Sequence, residues 1–287
     1  MDIWLALGAD ENGSTIEVRI RNKSHVGPED LDSSQITGFP ITEHSEIQFP
    51  DPNLEAVIRD AINIPEGSIY AMDLEGLKEL DAREKSIKDI SGLEHCSNLE
   101  DLDLRSNQIE NVSSLAGLTG LTVLQLSDNQ IADVSPLARL TNLTDLYMSN
   151  NQITDISPLA GLTNLVFLDL KGNQITDVPP LSRLTNLIRV NLNFNGITDV
   201  SPLSGLGNIV YLELYNNQIA DISPLAGLKG LIVLKLSYNQ ITDVSPLAGL
   251  TSLMDLFLGD NQTTDVSPLS GLTNLEIDQR DNIVHLQ

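Results

Sequence analysis

Cysteine is almost absent. Cys96 is the only one in 287 residues, which excludes an internal disulfide framework and fits the cytosol and bacterial surface proteins equally. No apolar run reaches the roughly 18 residues of a membrane span, so no membrane insertion is expected. The apolar stretch over residues 3–7 lacks a basic lead-in and is not expected to be a signal peptide. Basic residues are scarce, 16 Lys and Arg against 40 Asp and Glu, for a net charge of −24. Nucleic acid is thereby excluded as a partner, because phosphate binding needs clustered Lys and Arg. The acidity reads first as solubility. Ser-His-Asp, Cys-His, metal-ligand and phosphate-loop constellations are missing, so no catalytic residue, metal or cofactor is assigned. His25 and His44 stand without neighbouring ligand types, and adjacent His95 and Cys96 rarely converge on one substrate.

What the chain has is a period. Residues 121–142, LTVLQLSDNQIADVSPLARLTN, recur with small edits every 22 residues. Asn107, Asn129, Asn151, Asn173, Asn195, Asn217, Asn239 and Asn261 mark the register. A fixed period of this length with L-x-x-L-x-L-x-x-N is the signature of a leucine-rich repeat. Leu124 and Leu126 alternate inward on a short strand, leaving Val123, Gln125 and Ser127 on the other face. The Asn amides are expected to form a ladder satisfying buried loop backbone. Ile131, Val134, Leu137 and Leu140 return from the opposite wall, where Ser135-Pro136 reads as an N-cap and a short 3₁₀ or α turn. Parallel strands then line the concave side of a curved α/β solenoid, with short helical turns on the convex side. A second ladder runs through Asp133, Asp155, Asp177, Asp199, Asp221, Asp243 and Asp265. These carboxylates are expected to accept backbone N–H bonds at their turns rather than to bridge calcium, which needs six or more oxygens.

The flanks differ from the array. Residues 1–48 read as a β-hairpin, from the alternation of Ile3, Leu5, Leu7 and of Ile16, Val18, Ile20, plus a linker; they are a possible remnant of an upstream β domain. Over 49–76, Asp51-Pro52 with Leu54, Val57, Ile58 and Ala61 reads as a capped amphipathic helix closing the open end of the core. The repeats follow over 77–275, with Lys85 in the first Asn slot. Thr263 replaces the core isoleucine of the preceding coil, and 276–287 reads as a degenerate final coil.

The order of PNLEAVIRDAI, DLEGLKELDAREKSIKDISGLE and NQITDISPLAGLTNL resembles the internalin-type bacterial leucine-rich repeat proteins over about residues 49–275. This resemblance implies an exported or surface-attached protein that grips another protein on its concave sheet. An immunoglobulin-like unit and a cell-wall sorting motif, which the family pattern includes, are not seen here.

The concave face carries the candidate site. Aromatics are 4% of the chain, yet Tyr147, Phe167, Tyr211, Tyr215 and Phe257 fall on outward strand positions, with Phe194 and Tyr238 at the margin. Asp169 and Glu213 lie among them, and Lys171, Arg189 and Lys235 form a basic stripe. Exposed aromatics flanked by charge are the material of binding hot spots. The expectation is a non-enzymatic monomer that binds a protein; the competing reading is a structural surface spacer with no tight ligand.

Overall fold

The structure, a computed structural model, describes residues 3–9, 15–20 and 46–278, with side chains over 46–275. Residues 1–2 and 10–14, the segment 21–45 with His25 and His44, and residues 279–287 lie outside the described residues. The chain divides into two compact units, Met1–His44 and Ser45–Gln287. In the first, β1 (Ile3–Ala9) and β2 (Thr15–Ile20) pair antiparallel, with Leu5 opposite Val18 and a bulge between Ala6 and Gly8.

The second unit opens with α1 (Pro52–Ile62). Asp51 caps it by accepting the N–H groups of Asn53 and Leu54, and Asn63 closes it in the left-handed conformation. Leu54 and Ile58 are fully buried in one core cluster with Leu80 of the first coil. Ile47, on the linker side of the boundary read from sequence, is buried and pairs with Ile69, and Phe49 is buried beside it in the sequence. A four-residue helix, α2 (Ala71–Leu74), precedes the first strand.

Ten strands form one parallel sheet in chain order. They are β3 (Glu79–Asp81), β4 (Asp101–Asp103), β5 (Val123–Gln125), β6 (Asp145–Tyr147), β7 (Phe167–Asp169), β8 (Arg189–Asn191), β9 (Tyr211–Glu213), β10 (Val233–Lys235), β11 (Asp255–Phe257) and β12 (Glu276–Asp278). Every strand pairs with the residue 22 positions on until the last step, where Leu256 meets Ile277. The one-residue deletion therefore falls before the strand, and the ladder continues through it. On the opposite wall each repeat turns through a 3₁₀ segment such as Ser135–Arg139. That wall is broader than a three-residue strand, so stacking curves the array with its sheet inside.

The capping oxygen of these turns is not the serine's. Val134 occupies the N-cap, and Asp133 accepts the Ser135 N–H at 2.8 Å and its hydroxyl at 2.9 Å. Asp155, Asp199 and Asp243 repeat this pair of bonds. Where Pro179 removes the N–H, Asp177 takes the Thr176 hydroxyl instead. The Asp ladder is turn chemistry, one carboxylate per coil.

The Asn ladder is the inter-coil weld. Asn173 Nδ2 donates to Met148 O of the preceding coil and to Leu170 O of its own, both at 3.0 Å, while its Oδ1 accepts the Ile153 N–H at 3.0 Å. The same pattern recurs from Asn107 to Asn261. Lys85, which lacks the amide, receives the weld through its backbone, donating its N–H to Asn107 Oδ1. Thr263 likewise finds a partner for its hydroxyl in Ile241 O at 3.1 Å. Between the walls, leucine and isoleucine from Leu99 to Leu250, except Ile188 and Ile232, are almost wholly buried, each contributing about 1.5–3 kcal/mol relative to exposure.

Candidate functional site

The concave sheet shows one row of side chains per strand position. The parallel register sets Tyr147 beside Asp169, Arg189 beside Tyr211, Glu213 beside Lys235, and Lys235 beside Phe257. Tyr147, Phe167, Asp169, Tyr211, Glu213, Tyr215, Lys171, Lys235 and Phe257 are half-buried, and Arg189 is exposed. All ten lie on or just after β6 to β11.

They form groups instead of an even stripe. Tyr147 and Phe167 stack diagonally across two strands, ring centroids 4.5 Å apart. The Arg189 guanidinium lies 4.2 Å over Tyr211. Lys235 pairs with Glu213 Oε1 at 3.1 Å and lies 6.0 Å over Phe257, while Lys171 sits 5.5 Å from the Phe194 ring. Each cation of the basic stripe thus already faces a ring, and one also faces a carboxylate. Glu213 also accepts Asn193 Nδ2 at 2.7 Å, and Asn193 Oδ1 accepts the Tyr215 N–H. That network fixes the strand end from which Tyr215 projects.

Five residues that strand alternation, carried through the 22-residue period, assigns to the outward face are buried: Asp103, Ser127, Asn193, Ser237 and Gly259. The curvature of the sheet crowds its inner face, so short side chains there sink between longer neighbours one coil away. Ser127 shows the effect, its hydroxyl oxygen accepting the Ser149 N–H of the next coil at 3.2 Å.

Charge is unevenly spread along this face. The strands from β3 to β6 bring Glu79, Asp81, Asp101, Asp103 and Asp145 together. Burial pushes the Asp101 carboxyl up, and the charges of Glu79, Asp103 and Asp145 push it further. Burial would raise Asp103 as well, but the Arg105 side chain, 2.7 Å away, holds it below the usual carboxylate range. Farther along, burial raises Asp169 against the opposing N–H of Lys171, with the Glu213 charge adding. The Tyr147 phenol is raised by burial and by Asp145 and Asp169.

Phe194 and Tyr238 were placed at the margin by sequence, outside the main set. Both are 42% exposed, and both have left-handed backbones, φ 55° and 59°. Tyr215 lies between them, its ring 5.0 Å from Phe194 and 4.9 Å from Tyr238. The equivalent residue in other coils is Glu84, Ser106, Asp128, Asn150, Gly172, Asn216 or Asp260, also at positive φ. Glycine, asparagine and aspartate adopt this conformation most readily, whereas a bulky aromatic there costs about 1–2 kcal/mol. The signal was available in the sequence as two aromatics in a 22-residue column of turn formers.

The column of repeats matches the family model described as Leucine Rich repeats (2 copies), at residues 75–117, 119–161, 163–205, 185–227, 207–249 and 229–271. An internalin, InlF, from Listeria monocytogenes str. 4b F2365 superposes with TM-score 0.70 at 35% identity, over 80% of this chain and 75% of that one. Internalin C2 from the same strain superposes with TM-score 0.64 at 38% identity, over 80% and 94%. The chain belongs to the internalin-type leucine-rich repeat proteins. No curated protein sequence matches it. The plant peptide hormone receptor RGFR1, in complex with RGF2, is similar over 65% of this chain and 32% of its own, at 25% identity and TM-score 0.59. Leucine-rich repeat proteins commonly mediate protein–protein recognition, and the repeat family and its internalin members are non-enzymatic modules. This internalin-type chain is accordingly not an enzyme. Among the described residues no helix is long and apolar enough to cross a membrane.

Proposed function

We propose that this internalin-type chain grips a folded protein on its concave sheet, over β6 to β11, and that it does so as a monomer at or outside a bacterial cell surface. The observation that carries the reading is the concentration of scarce aromatics on that face: the Tyr147–Phe167 stack, Tyr211 under Arg189, and Phe257 under Lys235. Rings held in place by neighbouring side chains lose little freedom on binding, which is what an anchor residue requires. Leucine and isoleucine already fill the core, so these rings are not needed to build it. The internalin relatives support the surface location.

The partner is expected to bring apolar groups to the rings, and basic groups to the acidic strands β3 to β6. Because Lys171, Arg189 and Lys235 are engaged with rings inside the molecule, steering by the basic stripe is modest and anchoring by the rings dominates. A binding screen against surface-displayed proteins, followed by surface plasmon resonance on Tyr211→Ser and on Arg183→Glu of the convex turns, tests this. Tyr211→Ser should speed dissociation by roughly tenfold, the loss typical of an interface anchor, and Arg183→Glu should change little. A larger loss from Arg183→Glu, or no tight partner at all, would favour the convex wall or a spacer role.

A further inference from the structure

One flank of the array is almost without charge. At the corner where each coil enters its strand, the first coils hold Lys78 and Glu100, which pair, and then Thr122 and Thr144. In the next five coils the same position is Val166, Ile188, Val210, Ile232 and Met254. Strand propensity favours β-branched residues here, yet threonine fits the slot too, and Thr122 uses it to donate its hydroxyl to Glu100 O at 3.0 Å. Five successive coils forgo that bond. Val166, Ile188 and Met254 are exposed, Met254 to 51%, while Val210 and Ile232 are half-buried. At ~4.8 Å per coil the stripe is continuous and about 19 Å long.

Around the stripe, residues 140–144, 162–166, 184–188, 206–210, 228–232 and 250–254 contain one charged side chain, Lys229, which donates to Gly249 O at 3.0 Å. Asn164, Asn186 and Asn208 alongside donate their amides to carbonyls of the preceding coil. The opposite flank carries the Asp ladder, one carboxylate per coil. Two chains of net charge −24 repel wherever acidic faces meet, so the neutral flank is where a second copy can approach with apolar groups and no opposed carboxylates. The stripe is also self-complementary. A two-fold rotation about the radius of the curved array through Val210 lays Val210 on its mate, Ile188 on Ile232 and Val166 on Met254, the isologous arrangement of a symmetric dimer. Under that rotation the two curvatures coincide, and both concave sheets stay open on the same side. Standard interfaces bury about 1,200–2,000 Å² in total. Five part-exposed side chains with their Thr and Asn borders offer less, so the pairing is weak and the dilute chain stays the monomer proposed above.

We propose that the stripe from Val166 to Met254 is a self-association surface that pairs two copies of this chain flank to flank and antiparallel, with Val210 on the axis. Where many copies are held close together, such pairs turn two concave sheets to one side and add avidity for a repeated partner. Sedimentation equilibrium of the full chain from about 10 µM to about 1 mM covers the range of a weak interface. The apparent mass should climb from 31.2 kDa toward twice that value, and climb further at high salt, which screens the like charges. Val210→Asp, which sets two carboxylates against each other on the axis, should stay monomeric throughout. Ile188→Thr combined with Val210→Thr keeps the fold, since Thr122 and Thr144 already fill this slot, and should weaken pairing by roughly tenfold. Arg183→Glu on the convex turns should pair as the parent does. Ile188→Lys and Ile232→Glu should each be monomeric alone and associate when mixed, because the antiparallel register sets one against the other. A mass that stays at 31.2 kDa up to the highest concentration would overturn the proposal. So would association that weakens with salt, undiminished pairing of the threonine variant, or a mixture of the two charged variants that stays monomeric. A loss in Arg183→Glu equal to that in Val210→Asp would move the contact to the convex wall. These measurements use the chain alone, so their failure leaves the concave proposal standing.

Discussion

Asn173→Ala tests the weld between coils, and its cost follows from counting which backbone groups lose their only partner. The Asn173 amide donates to Met148 O and Leu170 O. Met148 O keeps a bond from Asn151 Nδ2, and Leu170 O keeps one from Asn195 Nδ2. Both carbonyls therefore remain satisfied by the adjacent rungs. The Ile153 N–H has Asn173 Oδ1 as its acceptor, in a buried setting, and the alanine leaves it orphaned. An unsatisfied buried donor costs about 1–3 kcal/mol, and the space vacated by the amide adds to this, so about 2–3 kcal/mol is expected. Asn173→Asp should cost more at neutral pH, because a carboxylate would face the carbonyl oxygens of Met148, Leu170 and Lys171, and part of that excess should return as acid protonates it. Urea unfolding at fixed slope reads the change directly, with Gln174→Ala on the exposed neighbour as the control, expected within about 0.5 kcal/mol. Equal losses from Asn173→Ala and Gln174→Ala would refute the argument.

Asp51 joins the opening helix to the first coil. Its Oδ1 caps α1 while Oδ2 accepts the N–H groups of Lys88 at 2.7 Å and Asp89 at 3.2 Å. Burial opposes ionisation, yet these four backbone bonds hold its pKa below the ordinary value. Its stabilisation is therefore complete above the unfolded-state value near 3.9 and fades as pH falls through the lower folded-state value. Asp51→Asn should flatten that acid limb of an unfolding-versus-pH series, and an unchanged limb would assign the acid sensitivity elsewhere. Cys96 is fully buried, and burial, with the Glu94 charge adding, pushes its thiol up to about 12. A thiol reagent should label it only through global unfolding, at a rate that follows urea concentration; rapid labelling of the native protein would mean the first coil opens locally. Removing residues 49–76 should abolish cooperative unfolding by uncovering Leu80 and its neighbours, whereas removing 276–287 should cost far less. A soluble, cooperative chain lacking 49–76 would show the array closing without its helix.

The periodic part of the molecule was legible because the period itself reveals the neighbour. Once Asn173 is known to sit 22 residues from Asn151, the ladder, the parallel register and the pairing of Lys235 with Glu213 all follow from stacking one coil on the next. Contacts outside the period were not legible. Nothing in the residues around Ile47 indicates that it bridges to Ile69, and nothing around Asp51 marks Lys88 and Asp89 as its partners. The burial of Ser127 and Asn193 escaped because alternation predicts a face and takes no account of how curvature crowds it. The Tyr147–Phe167 stack is diagonal, chosen by side-chain packing that strand alternation does not fix. Phe194 and Tyr238 were visible as marginal aromatics, and their left-handed backbone is legible only from the turn formers in the same column of other coils, since aromatic residues rarely adopt it.

The central claim, that the concave sheet is the recognition surface, is tested most directly by hydroxyl-radical footprinting of the complex with the partner recovered in the screen. Tyr147, Phe167, Tyr211 and Phe257 should lose reactivity together on binding, while the exposed Met72 of α2 and Met254, which do not belong to that face, keep theirs. Protection of Met72 and Met254 with unchanged oxidation of the four rings would contradict the account.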